Sequence, residues 1–135
     1  MRRLLVTLSL FAAVVSCGGD ATVTRPAAEI AGIYRLTSIN GSPLPFVYAQ
    51  SGADKSEVLD DAITLLENGE WSEVWHERYT ESGVVTTEEF VDEGIYTRVG
   101  ISITMSSVET GTVQGRLEGN TLTFTAPNVQ LIYTR

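Results

Sequence analysis

The sequence predicts an all-β domain, an antiparallel up-and-down β-barrel of about eight strands, on three observations. From Ile30 onward apolar residues fall in short runs that alternate with polar ones, the period of a half-buried strand. The runs end at turn signals, among them Asn40-Gly41, Asn68-Gly69, Glu81-Ser82-Gly83 and Gly119-Asn120. Every link is short, which joins antiparallel neighbours, and about eight such strands close a small barrel without leaving an exposed edge.

A targeting segment precedes this domain. Arg2 and Arg3 supply a positive start, Leu4 to Val15 an apolar core, and Ser16 a small residue before a cut, the order of a secretory signal peptide. Twelve residues fall short of the roughly 20 that a spanning helix needs. The ending Val14-Val15-Ser16-Cys17 resembles the lipobox of bacterial lipoproteins. That resemblance implies cleavage before Cys17, a diacylglyceryl thioether on its sulfur and acylation of its amine. Cys17 is the only cysteine, so it has no internal disulfide partner, and a free thiol in an oxidising compartment is a liability that lipidation removes. Residues 1–16 thus read as a lipoprotein signal peptide. Gly18 is not the Asp that retains lipoproteins at the inner membrane, so an outer-membrane location is expected if the organism is diderm.

Gly18 to Glu29 is small, polar and free of aromatic residues. With Cys17 it forms a lipidated linker, residues 17–29, reaching at most about 40 Å when extended and averaging roughly 20 Å as a coil. Residues 30–135 form one domain. The whole chain carries a formal charge of −8; removing Arg2 and Arg3 leaves seven basic residues against seventeen acidic ones, a charge of −10. Such a surface disfavours nucleic acid and equally disfavours adhesion to anionic lipid headgroups. The expected contact with the membrane is therefore through acyl chains alone, and the domain is expected to be a monomer.

Within the domain, Ala31 to Ile39 forms the first strand and stops at Asn40-Gly41. A further run near Phe46 to Gln50 helps complete the barrel. Ser51 to Asp61 has room for a single helical turn, with Ser56 as its N-cap. Ala62 to Leu66 and Trp71 to Thr80 form a hairpin across Asn68-Gly69. Val84 to Arg98, Ile101 to Ser106, Thr112 to Leu117, Leu122 to Ala126 and Val129 to Tyr133 follow.

Gly32-Ile33-Tyr34, the Asn40-Gly41 turn and the proline-rich Ser42-Pro43-Leu44-Pro45 resemble the opening of bacterial lipocalin-like domains. Leu131-Ile132-Tyr133-Thr134-Arg135 resembles their closing strand, and Gly94-Ile95-Tyr96 with Ile101-Ser102-Ile103 their middle. The resemblance implies a calycin-type barrel in which a basic residue of the last strand packs on the first-strand aromatic. It implies no particular ligand.

The densest chemistry lies on Trp71 to Thr80, where period-two geometry puts Trp71, Glu73, Trp75, Glu77 and Tyr79 on one face. Two readings compete: a ligand wall of aromatic faces assisted by carboxylates, or cross-strand packing with the glutamates reaching solvent. Leu44, Phe46 and Tyr48 lie on a segment stiffened by Pro43 and Pro45, which acts either as a lid over a cavity or as a permanent plug. Tyr96 joins these candidate ligand-binding residues.

His76 is the only histidine and reads as a solvated side chain. No Gly-x-Ser-x-Gly, His-Glu-x-x-His or glycine-rich phosphate loop occurs, so neither an enzyme nor a cofactor is expected. Asp60-Asp61, Glu88-Glu89 and Asp92-Glu93 lack the spacing of a calcium loop and read as a solvated edge; no metal is assigned. The expected function is non-catalytic binding of a small, partly apolar molecule at the cell envelope. The alternative is a structural or protein-interaction module with a filled barrel.

Overall fold

Nine strands follow one another in the computed structural model, which describes residues 28–135. The expected signal peptide, Cys17 and the linker up to residue 27 lie outside the described residues. The strands are β1 (Gly32–Ile39), β2 (Phe46–Ser51), β3 (Asp54–Leu65), β4 (Glu70–Glu81), β5 (Val84–Val99), β6 (Ser102–Ser107), β7 (Gly111–Glu118), β8 (Thr121–Ala126) and β9 (Val129–Thr134), preceded by a 3₁₀ turn at Ala28–Ile30.

From β3 to β9 each strand pairs antiparallel with the next. β1 closes the ring, with Leu36 opposite Tyr133 of β9 and Tyr34 opposite Ile63 of β3. Eight strands thus form a closed barrel. β2 is a ninth strand outside that ring: it pairs with the first half of β3, Phe46 opposite Val58, while β1 pairs with the second half. The run at Phe46 to Gln50 is therefore a strand as expected, but it is not one of the eight that close the barrel.

One element differs outright. Ser51 to Asp61 contains no helical turn; from Asp54 it is the first half of a long strand. A single turn fixes several backbone dihedrals for one hydrogen bond, whereas here the backbone ladders with β2 on one side and β4 on the other. A register shift against β4 between Val58 and Asp60 falls between the stretch of β3 that pairs with β2 and the stretch that pairs with β1.

The turns obey the local chemistry. Asn40 and Gly41 both have positive φ, 52° and 76°, between the paired residues Ile39 and Ser42, as a two-residue hairpin with right-handed twist requires. Asn40 also ties the turn to β9, its Oδ1 accepting from the Gln130 amide at 2.8 Å.

The core runs along the barrel axis through Tyr34, Leu36, Ile63, Leu65, Trp71, Tyr96, Ile103, Met105, Leu117, Leu122 and Tyr133. One end is shut. Ile30 of the 3₁₀ turn is buried there, and the Tyr34 hydroxyl donates to its carbonyl at 2.9 Å. Arg135 Nη1 donates to the carbonyls of Glu29 and Ala31 at 2.7 and 2.9 Å, with its guanidinium 5.6 Å over the Tyr34 ring. The basic residue expected on the first-strand aromatic is thus Arg135 on Tyr34, and it draws Glu29, assigned to the linker from sequence, onto the domain. Tyr96 completes this end by donating to the Leu66 carbonyl at 2.7 Å.

Candidate functional site

At the opposite end the barrel is hollow. A cavity of about 400 Å³ opens between the β6–β7 and β8–β9 turns. Ile63, Trp71, Met105, Phe124, Val129 and Leu131 give it apolar walls, because the strands alternate and these positions all face inward. Thr110, Gln114 and Thr125 add polar groups, and Glu73 and Tyr133 supply its titratable ones. The space exists partly because Gly115 carries no side chain where the Phe124 ring lies against β7; a Cβ there would come within 2.7 Å of that ring. Phe124 in turn meets Tyr133 edge to face, with centroids 6.0 Å apart.

The face Trp71, Glu73, Trp75, Glu77 and Tyr79 points into the barrel, and both readings of it hold at different heights. Trp71, nearest the closed end, lines the cavity and is only 3% exposed, its Nε1 donating to the Ile95 carbonyl at 3.1 Å. It fits because Gly94 lies opposite it on β5; a Cβ on Gly94 would overlap the Ser106 carbonyl oxygen and press on the indole nitrogen. Trp75, further out, is cross-strand packing: it stacks on Phe90 at 5.1 Å and 16°. Its Nε1 donates to Glu77 Oε1, and the hydroxyls of Tyr48 and Tyr79 both donate to Glu77 Oε2. Three donors thus satisfy the Glu77 carboxylate on the barrel's extended lip.

The candidate ligand residues therefore separate. Trp71 alone among them lines the cavity. Leu44 and Phe46 are half-buried and pack against the core. Tyr48, Trp75 and Tyr79 gather around Glu77, and Tyr96 caps the closed end.

Beside the cavity stand three inward carboxyl groups. Asp61 Oδ2 accepts from the Tyr133 hydroxyl at 2.6 Å, and its Oδ1 is buried without a donor. Glu73 lines the cavity next to it, Oε1 lying 3.5 Å from the same hydroxyl. Asp92 is 3% exposed and well served: its Oδ2 accepts from Ser107 at 2.9 Å and Thr110 at 2.8 Å, its Oδ1 from the Glu93 amide. Burial pushes Glu73 far above the ordinary carboxylate range, reinforced by the negative charges of Asp61 and Asp92. Burial also raises Asp61, against the opposing pull of the Tyr133 hydroxyl. The Tyr133 hydroxyl stands between the two acids, 2.6 Å from Asp61 Oδ2 and 3.5 Å from Glu73 Oε1. The two acids therefore titrate as a pair that retains a proton above the ordinary carboxylate range.

Asp61 and Asp92 correct the reading of the acidic doublets as a solvated edge. Adjacent carboxylates do point to opposite faces, and one face is the interior. Their outward neighbours do different work: His76 Nδ1 lies 2.7 Å from Asp60 and Nε2 3.2 Å from Glu89, a cross-strand cluster on the outer surface. Both carboxylates raise the imidazole's affinity for its proton. Glu57, on the same outer face, accepts from Arg78 at 2.8 Å and pairs with Lys55 at 3.0 Å, which together hold it down to about 2. Among the described residues no cluster of three or more His, Cys, Asp or Glu side chains is arranged to hold a metal ion.

Sequence reasoning passed over the carboxyl pair, although a signal was there. Asp61, Ile63 and Leu65 share one period-two face, as do Glu73 and Trp71, so an apolar face carries an acid on each of two adjacent strands. No family model matches the chain, and no curated protein matches its sequence.

Proposed function

We propose that this protein is a lipid-anchored protein of the cell envelope whose barrel binds a small, partly apolar molecule without transforming it. One observation carries the binding half of this reading: the cavity of about 400 Å³, apolar-walled and open at one barrel end. Its size and lining suit a small-molecule site, for which roughly 300–1,000 Å³ is usual. The filled-barrel alternative describes only the end shut by Tyr34, Tyr96 and Arg135. The anchoring half rests on the segment that ends in Cys17. His76 sits on the outer face with Asp60 and Glu89, away from the cavity, which favours a non-catalytic role. The test is a titration of the full-length protein with the neutral hydrophobic probe N-phenylnaphthylamine. Saturable binding at a stoichiometry near one is expected; a linear, unsaturating response would count against it.

A further inference from the structure

We propose that the cavity is built for an organic cation: a small amphiphile whose ammonium group lies against the Glu73 carboxyl, with Asp61 buried behind it, while its apolar body packs on Trp71, Met105 and Phe124. The proposal rests on the small-molecule reading above and names the ligand's chemistry.

The first ground is what the cavity lacks. The six basic residues of the described chain all lie elsewhere: Lys55 and Arg78 on Glu57, Arg98 and Arg135 at the closed end, Arg116 on Glu118, and Arg35 exposed on β1. An inward carboxyl pair without an internal counter-ion costs stability. Evolution commonly pairs or removes such groups, and here neither has happened.

The second ground is the orphaned oxygen. Asp61 is 9% exposed, and its Oδ1 has no donor within the protein when both acids are ionised. Glu73, its neighbour, lines the cavity and is the acid that a ligand reaches. An ammonium group at Glu73 supplies up to three donors and a positive charge that offsets both buried acids. A divalent cation fits less well, since it wants six or more oxygens, whereas the space beside Glu73 is mostly hydrocarbon. The net charge of −8 also draws cations toward the barrel.

Binding of the cation displaces the proton that burial holds on Glu73, so affinity depends on pH. The groups that bear on the pair are Asp60 and Asp61 from β3, Glu73 from β4, Asp92 from β5 and the Tyr133 hydroxyl from β9. Ser107, Thr110 and Gln114, from β6, β7 and the turn between them, do not titrate. As pH rises toward the raised range of Glu73, the proton that competes with the ligand is lost and the cation binds more tightly.

Calorimetric titration of the full-length protein with phenethylamine, its neutral isostere phenylethanol, and phenylpropanoate tests this. Phenethylammonium is expected to bind at least about tenfold more tightly than the alcohol, a difference of about 1.4 kcal/mol, and the carboxylate not measurably. The Glu73→Gln variant, isosteric with the protonated acid, is expected to bring the amine to the alcohol's affinity while leaving the alcohol unchanged. In the unmodified protein the amine's affinity should rise between roughly pH 6 and pH 8.5 while the alcohol's stays level. If the variant fails to fold, that pH series decides. Equal affinity for amine and alcohol without pH dependence overturns the cation proposal and leaves small-molecule binding standing. The neutral probe binding while the amine does not bind has the same meaning, and loss of the probe as well overturns the binding reading beneath it.

Discussion

Tyr133 is where the interior's polar chemistry is decided. Its hydroxyl donates to Asp61 Oδ2 at 2.6 Å, and burial beside two acids makes that hydroxyl far harder to ionise than usual. Tyr133→Phe removes the donor and keeps the ring that meets Phe124. A cost of about 1–3 kcal/mol is expected in denaturant unfolding, the penalty for a buried acceptor left unpaired. Gly94 is the steric counterpart. Any side chain there overlaps the Ser106 carbonyl, which is fixed in the β5–β6 ladder and cannot yield cheaply. Gly94→Ala is expected to destabilise by about 2–4 kcal/mol, in the range of overpacked sites, and to weaken the protection of the Trp71 indole from solvent quenchers.

Among the elements, the closed end behaves as a clasp. The 3₁₀ turn is held against β1 and the end of β9 through Ile30, Tyr34 and Arg135, so Arg135→Ala loses three hydrogen bonds, to Glu29, Ala31 and Asn120, and a cation–π contact together. Release of the 3₁₀ turn, read as faster hydrogen exchange at Ala31 to Ile33, with a loss of about 1–2 kcal/mol, is the expected outcome. The clasp shows how much was legible beforehand. Tyr34 and Arg135 carried it in a recognisable pattern, and turn dipeptides placed most strand boundaries, since both depend on a few neighbouring residues. The helical turn at Ser51 to Asp61 failed for the opposite reason. Glu57, Val58 and Leu59 have no strong local preference, and strand pairing with partners up to 25 residues away, as for Lys55 with Thr80 of β4, overrules it. The same limit hid the carboxyl pair. Asp61 and Glu73 meet only because a register shift after Val58 sets which β3 residues face inward.

For the molecule as a whole, two groups of acids pull its stability in opposite directions with pH. Glu57, held down to about 2 by Arg78 and Lys55, stabilises the fold above the ordinary glutamate value and loses that contribution as pH falls toward its own. The Asp61 and Glu73 pair is raised, so its proton stays on in the folded state while the unfolded chain has released it. Stability from that source is complete below the ordinary carboxylate value and declines as pH rises through the raised range. Denaturation midpoints across a pH series should therefore peak in mildly acidic solution, and Glu73→Gln should remove most of the alkaline decline. The proposed anchoring is tested separately: Cys17→Ser should move the protein from the membrane to the soluble fraction with its folded domain intact. Because the chain has only two tryptophans, single-tryptophan proteins reveal whether the hollow half of the barrel is a ligand site with Trp71 in its wall. Trp75→Phe, which retains Trp71, is expected to give a saturable fluorescence change with N-phenylnaphthylamine, and Trp71→Phe, which retains Trp75 stacked on Phe90, little or none. A saturable change confined to Trp75, or absent from both, would contradict it.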